Sequence, residues 1–165
     1  MPILNAHSLE VISRSAEQTR RVGMRLGTLL QSGDTICLTG DLGSGKTTLV
    51  QGVATGWGSL DAVSSPTFVL VNVYRGAGGV RLYHLDAYRL ASAAEAEELG
   101  LDDMLSQGPL VVEWADRIER VLPREHLLVR MRMVDENQRD LVIVAAGKRY
   151  QRMLDELQRQ IYGVR

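Results

Sequence analysis

The stretch TICLTGDLGSGKTTL, Thr35 to Leu49, decides the fold. Its first five residues form a short, largely apolar run, the pattern of a buried strand. GDLGSGKT, Gly40 to Thr47, then satisfies GxxxxGK[ST] at every fixed position. A helix is expected to begin near Lys46 and to end by Gly56 and Gly58. A strand that feeds a helix through glycines turns backbone N–H groups inward around a phosphate, and side chains at Gly43 and Gly45 would block that approach. Lys46 adds a point charge at the β and γ phosphates. The Thr47 hydroxyl suits the magnesium ion that bridges them. Gly40, Asp41, Leu42, Gly43, Ser44, Gly45, Lys46, Thr47 and Thr48 are therefore candidate nucleotide-binding residues. A glycine-rich turn with a chance lysine is the alternative, and a complete motif between strand and helix makes it the poorer one.

Working outward, the apolar period switches several times. SLEVIS, Ser8 to Ser13, reads as a short strand. Ser15 followed by Gln18 is a capping-box pattern, and Val22, Leu26, Leu29 and Leu30 make one helical face that stops at Gly33. Thr67 to Tyr74 and Val80 to Asp86 are strand-like runs joined by GAGG, a hairpin signal that puts antiparallel strands into the sheet. Ser92 and Glu95 open a short acidic helix that stops at Gly100. LVVEW, Leu110 to Trp114, is a short apolar strand ending beside a carboxylate. HLLVRMRMV and RDLVIVA flank DENQ as a last hairpin. The closing helix buries Tyr150, Met153, Leu154, Leu157 and Ile161. No repeat or linker interrupts this order. The expectation is one α/β domain over residues 1–165, three-layered and P-loop NTPase-like, on a mixed parallel and antiparallel central sheet.

Composition bounds the function. The 165 residues are 45% hydrophobic with a formal net charge of −1, so the chain lacks the basic footprint of a protein that grips nucleic acid alone. The single cysteine, Cys37, sits inside the apolar strand run, where a buried thiol is the expected state and a reducing, cytoplasmic setting is implied. LVIVAA, Leu141 to Ala146, is far too short to span a bilayer, and no export signal is visible at the N-terminus. His7, His84 and His126 lie on strand-like segments without metal-ligand spacing and read as packed or exposed residues. Lys148, Arg149, Arg152 and Arg159 surround the closing helix and read as a solvated face.

Kinases, GTPases, ATPases and switches share such a loop, so other residues must discriminate. None of Asn5, Asn72 and Asn137 is followed by lysine, which disfavours a guanine reader of the Asn-Lys-x-Asp type. No arginine cluster of the kind found in kinase lids follows the loop. Two carboxylates stand at strand ends, Glu113 after LVV and Asp86 in YHLDAYRL. From there an acid can reach a magnesium shell or orient an attacking water. Read only from its residues, the alternative for each is a solvated strand-end acid, a reading that fits Asp86 better than Glu113.

SSPTFVLVNVY at Ser64 to Tyr74, YHLDAYRL at Tyr83 to Leu90, EELGLDDML at Glu97 to Leu105 and VVEWADRI at Val111 to Ile118 resemble, in order and spacing, the signature blocks of the TsaE family. These are small bacterial ATPases of tRNA threonylcarbamoyladenosine biosynthesis, and the resemblance spans nearly the whole chain. It departs at Leu85 and Ala87, where the family more often has Phe and Leu, a change that touches packing around Asp86. The resemblance implies ATP and Mg2+ as cofactors, with Lys46, Glu113 and Asp86 catalytic and Thr47, Glu113 and Asp86 at the metal. It implies that Thr67 faces the nucleotide from a switch-like loop, that Ser15 and Thr19 lie near the base, and that Trp114 and Arg139 approach the nucleotide. It further implies action on a TsaB/TsaD-type heterodimer, which carries the transferase chemistry, with tRNA contacted only through that complex and no membrane involved. Two other readings stay open: a nucleotide-dependent binding module whose ATP state controls docking, and a small-molecule kinase.

Overall fold

The computed structural model describes residues 6–63 and 70–163, and within them seven strands pair into one mixed sheet. The strands are β1 (Ser8–Ser13), β2 (Thr35–Thr39), β3 (Val71–Arg75), β4 (Arg81–Asp86), β5 (Leu110–Glu113), β6 (His126–Met133) and β7 (Arg139–Ala146). Their order across the sheet is β1-β7-β6-β2-β5-β4-β3. The four central strands β6, β2, β5 and β4 run parallel, and β3, β7 and β1 add antiparallel edges. The two hairpins expected from GAGG and DENQ supply β3–β4 and β6–β7. Part of the expected strand from Thr67 falls outside the described residues.

One face of the sheet is covered by α1 (Ala16–Leu29), α2 (Lys46–Trp57) and α5 (Lys148–Tyr162). Leu26, Leu49, Val53, Leu154 and Leu157 from these helices close over Ile36, Leu38 and Val111 in a continuous apolar core. The other face carries α3 (Ala93–Glu97), α4 (Leu101–Gln107) and a 3₁₀ segment at Ala115–Val121, whose Ala96, Leu101 and Ile118 meet Cys37, Leu85 and Val112. The result is the expected three-layer α/β arrangement, because strands buried on both faces need apolar cover on both.

Local signals explain most boundaries. Ser15 Oγ accepts from the Gln18 amide at 3.1 Å, and Gln18 Oε1 reaches back to the Arg14 amide at 2.7 Å. Helix α1 then ends one residue before Leu30, which caps it in extended form. Gly58 ends α2 at φ 103°, a left-handed cap that suits glycine. The short acidic helix α3 stops at Glu97, just ahead of Gly100 as expected, and Gly100 at φ 78° is the N-cap of α4, a helix the sequence reading lacks. Arg149, grouped with a solvated basic face, instead donates to both oxygens of the buried Asp34 at 2.7 and 3.1 Å. It also reaches the Leu29 carbonyl, fastening α5 to the turn that leads into β2.

Candidate functional site

The loop after β2 takes its shape from backbone angles that glycine tolerates. Gly40, Gly43 and Gly45 have φ of 144°, 80° and 100°. At Gly43 an added Cβ would meet no protein atom within 4 Å, so its requirement within the chain is conformational. At Gly40 it would strike the Met131 carbonyl oxygen at 2.4 Å. The loop delivers Lys46 at the first position of α2, where the Lys46 side chain is held by its own loop. Nζ donates to Gly40 O at 2.5 Å, Asp41 O at 2.9 Å and Ser44 Oγ at 3.3 Å. It also stands 4.3 Å from the ring centroid of Trp114, a cation–π distance. Burial draws the Lys46 pKa below the ordinary lysine value, opposed by the charges of Glu113, Asp41, Asp86 and Asp116.

Those opposing charges show what the sheet brings to the loop. Parallel pairing sets Asp86 of β4 beside Glu113 of β5, and Leu38 of β2 beside Glu113. Both acids thus emerge at the carboxyl ends of adjacent parallel strands, next to the strand that feeds the loop. Asp86 Oδ1 accepts from the Tyr88 amide at 2.9 Å. Burial pushes the Asp86 carboxyl above its usual range, partly offset by that amide; the Glu113 charge adds to the rise, while His84 and Lys46 oppose it. Glu113 is buried, and its Oε2 lies 2.5 Å from His84 Nε2. Trp114 follows with φ 59°, the only described non-glycine residue in the left-handed region, and this turn sends its ring over Lys46. Tyr88 lies against that ring at 4.9 Å, and the Arg117 guanidinium lies 5.1 Å from the Tyr88 centroid.

Gly43, Gly45, Lys46, Thr47, Thr48, Leu42, Asp86, Tyr88, Glu113, Trp114 and Arg139 line one cleft of about 370 Å3. A smaller cleft, sharing Gly45, Thr48 and Arg139, adds Ala16, Thr19, Glu136 and Asn137. Arg139 therefore sits between the two, with Nη1 donating to the carbonyls of Asp135, Glu136 and Gln138. Thr19 is buried, its hydroxyl 2.7 Å from Ser13 Oγ. Ser15 is a helix cap and does not line either cleft. Gly40, Asp41 and Ser44 shape the loop from behind by holding Lys46. Thr67 lies outside the described residues. A further cleft, lined by Cys37, Glu119, His126 and Arg130, opens by the 3₁₀ segment and contains neither the loop glycines nor the two strand-end acids.

The oxygens of Thr47, Asp86 and Glu113 suit a hard cation such as magnesium. Among the described residues, no group of three or more His, Cys, Asp and Glu side chains could hold a metal ion by itself. Two carboxylates and a hydroxyl beside a phosphate loop fit a magnesium ion that arrives with its nucleotide, since such ions take much of their shell from phosphate and water. Sequence reasoning missed Tyr88, which braces Trp114, and missed the partnership of His84 with Glu113. The first was visible only as part of YHLDAYRL, and the second had no local signal.

Sheet order and loop geometry define an α/β domain of the phosphate-binding-loop class. A family model described as threonylcarbamoyl adenosine biosynthesis protein TsaE matches residues 13–141, and the chain belongs to that family. It is 39% identical over 144 residues to the tRNA threonylcarbamoyladenosine biosynthesis protein TsaE of Bacillus subtilis, covering 87% of this chain and 89% of that one. It is 45% identical over 114 residues to the protein of the same name from Streptomyces coelicolor, covering 68% and 77%. The crystal structure of Bacillus subtilis YdiB superimposes with a TM-score of 0.77 at 33% identity, over 93% of this chain and 96% of that one.

Proposed function

We propose that this protein binds and hydrolyses ATP, with magnesium, in the threonylcarbamoyladenosine modification of tRNA. In this reading it acts from the cytoplasm on a TsaB/TsaD-type heterodimer and is not itself the transferase. The observation that supports it is the convergence of Lys46, Thr47, Asp86 and Glu113 on one cleft at the loop. Loop amides and the α2 N-terminus would receive the phosphates, and Lys46 would exchange its bonds to Gly40 and Asp41 for phosphate oxygens. Thr47, Asp86 and Glu113 would hold the magnesium ion. When bound, that ion neutralises charge on the β and γ phosphates. Beyond the metal shell, one of Glu113 and Asp86 would also orient the attacking water. Trp114 and Tyr88 wall the cleft and limit access of bulk water.

The test combines two measurements. Lys46→Ala should weaken a non-hydrolysable ATP analogue by at least about tenfold, since a charge-assisted contact contributes about 1.5–3 kcal/mol. Reconstituted tRNA modification with the partner heterodimer should then require the wild-type chain and fail with Lys46→Ala. Unchanged analogue affinity would remove the nucleotide site from the cleft, and modification proceeding equally without the chain would remove the proposed role.

A further inference from the structure

Glu113 is held at two points, by β4 and by the residue that follows it. Its backbone carbonyl accepts from the Ala87 amide at 3.0 Å, and its side-chain Oε2 lies 2.5 Å from His84 Nε2. His84 is fully buried, and its other ring nitrogen, Nδ1, lies 2.9 Å from the Tyr74 hydroxyl. With Glu113 as a carboxylate, which only accepts, Nε2 must carry a proton. Nδ1 and the Tyr74 hydroxyl share the second hydrogen bond of the ring, so Tyr74 holds the imidazole from the side opposite Glu113. The three side chains thus form a buried hydrogen-bonded chain from Tyr74 through His84 to Glu113. Three neighbouring strands supply it: β3, β4 and β5.

We infer that His84, held between Tyr74 and Glu113, is a positioning residue for Glu113. It engages Oε2, so that Oε1 is the oxygen left for the cleft that Glu113 lines. The inference rests on the reading of the cleft as a magnesium–nucleotide site. A carboxylate free to rotate would present either oxygen. One clamped by a buried imidazole presents a single oxygen in a fixed direction, which is how outer-sphere partners orient metal-site ligands. Asp86, the other acid in the cleft, accepts from the Tyr88 backbone amide instead, so the imidazole clamp acts on Glu113. An apolar residue at position 84 would fill the same core volume but would release that carboxylate.

The experiment measures Mn2+ affinity by electron paramagnetic resonance on the chain saturated with a non-hydrolysable ATP analogue, and analogue affinity separately without metal. His84→Leu should weaken Mn2+ by about tenfold or more while leaving metal-free analogue affinity within about twofold. His84→Gln, whose amide nitrogen reaches the place of Nε2, should recover most of the loss. Tyr74→Phe removes one hydroxyl and little volume; it should lower Mn2+ affinity severalfold and shift the His84 ring 15N resonances. If His84→Leu does not fold, Tyr74→Phe decides alone. Unchanged Mn2+ affinity and unchanged His84 ring 15N resonances in Tyr74→Phe would overturn the inference. So would an equal loss of metal-free and metal-dependent binding in folded His84→Leu, or no recovery by His84→Gln. A wild-type chain that binds the analogue and metal with any of these outcomes leaves the nucleotide reading standing. A wild-type chain that binds neither overturns that reading, and this assignment with it.

Discussion

Glu113 and Lys46 are opposite charges buried beside one another, and neither is there for stability: removing water from an ion costs more than a surface pair returns. Their cost makes sense at a site where phosphate charge arrives. Glu113→Gln keeps the shape of the side chain and removes its charge. It is expected to leave analogue binding within about tenfold while depressing phosphate release far more, which single-turnover kinetics on saturated protein would separate. Equal losses in binding and turnover would make Glu113 an anchor for the metal only. Cys37 gives a second residue-scale prediction. Burial, with a smaller contribution from Glu119, pushes its thiol from an ordinary 9.0 up to about 12. Above pH 9 the unfolded chain loses this proton while the folded chain keeps it, so the contribution to stability falls as pH rises from about 9 towards 12. Iodoacetamide at pH 8 should label Cys37 only as fast as the protein opens, and labelling independent of added denaturant would contradict this. At this scale the loop, Asp86 and Glu113 were legible because strand-end acids and a complete glycine motif are local patterns. His84 was not, since its partners lie 10 and 29 positions away on other strands and meet it only when β3, β4 and β5 align.

Helices α1 and α2 touch backbone to backbone through four glycines. A Cβ at Gly23 would lie 2.3 Å from Leu49 O, at Gly27 2.1 Å from Val53 O, at Gly52 2.0 Å from Arg20 O and at Gly56 2.0 Å from Met24 O. Helix propensity alone favours alanine over an interior glycine by about 1 kcal/mol. Here the clash is with main chain, which cannot rotate away, and overpacking of this kind costs about 1–3 kcal/mol or more. Gly52→Ala is therefore expected to lower stability in urea titrations, and a higher midpoint would show that the helices separate freely. Because α2 begins at Lys46, the same substitution should also weaken nucleotide affinity by moving the loop. Apolar periodicity located α1 through Val22 and Leu26 but is blind to glycine, so the closeness of the pair was not legible. Helix α4 escaped for another reason: Leu101, Met104 and Leu105 have helical spacing, but seven residues are too few for the period to decide, and Gly100 looks the same in sequence whether it follows one helix or opens the next.

Across the whole molecule, the antiparallel edges frame a parallel centre whose strand ends carry the loop and both acids. Sequence made the mixture of strand directions legible through its two hairpins. The order that puts β2 between β5 and β6 was not, because no local pattern specifies which buried strands become neighbours. That order has a consequence for charge. Among the described residues lining the main cleft, Lys46 and Arg139 are the cations. Lys46 is the expected partner of the β and γ phosphates. Arg139 has Nη1 committed to three carbonyls of its own hairpin turn, so moving it towards a γ phosphate would break that turn's bonds. Phosphoryl transfer needs the developing charge on the γ group neutralised, and an arginine supplied by a partner raises turnover by roughly 10³–10⁵ in systems built that way. The isolated chain is accordingly expected to release phosphate slowly at saturating ATP and magnesium. Adding the partner heterodimer should raise the rate by at least about tenfold, either by inserting a cation or by freeing Arg139. Arg139→Ala separates the two routes: it should abolish stimulation if the partner acts by releasing Arg139, and preserve it if the partner brings its own charge. Full activity in isolation, unresponsive to the partner, would mean that Lys46 and Arg139 suffice and that the chain is a self-contained ATPase.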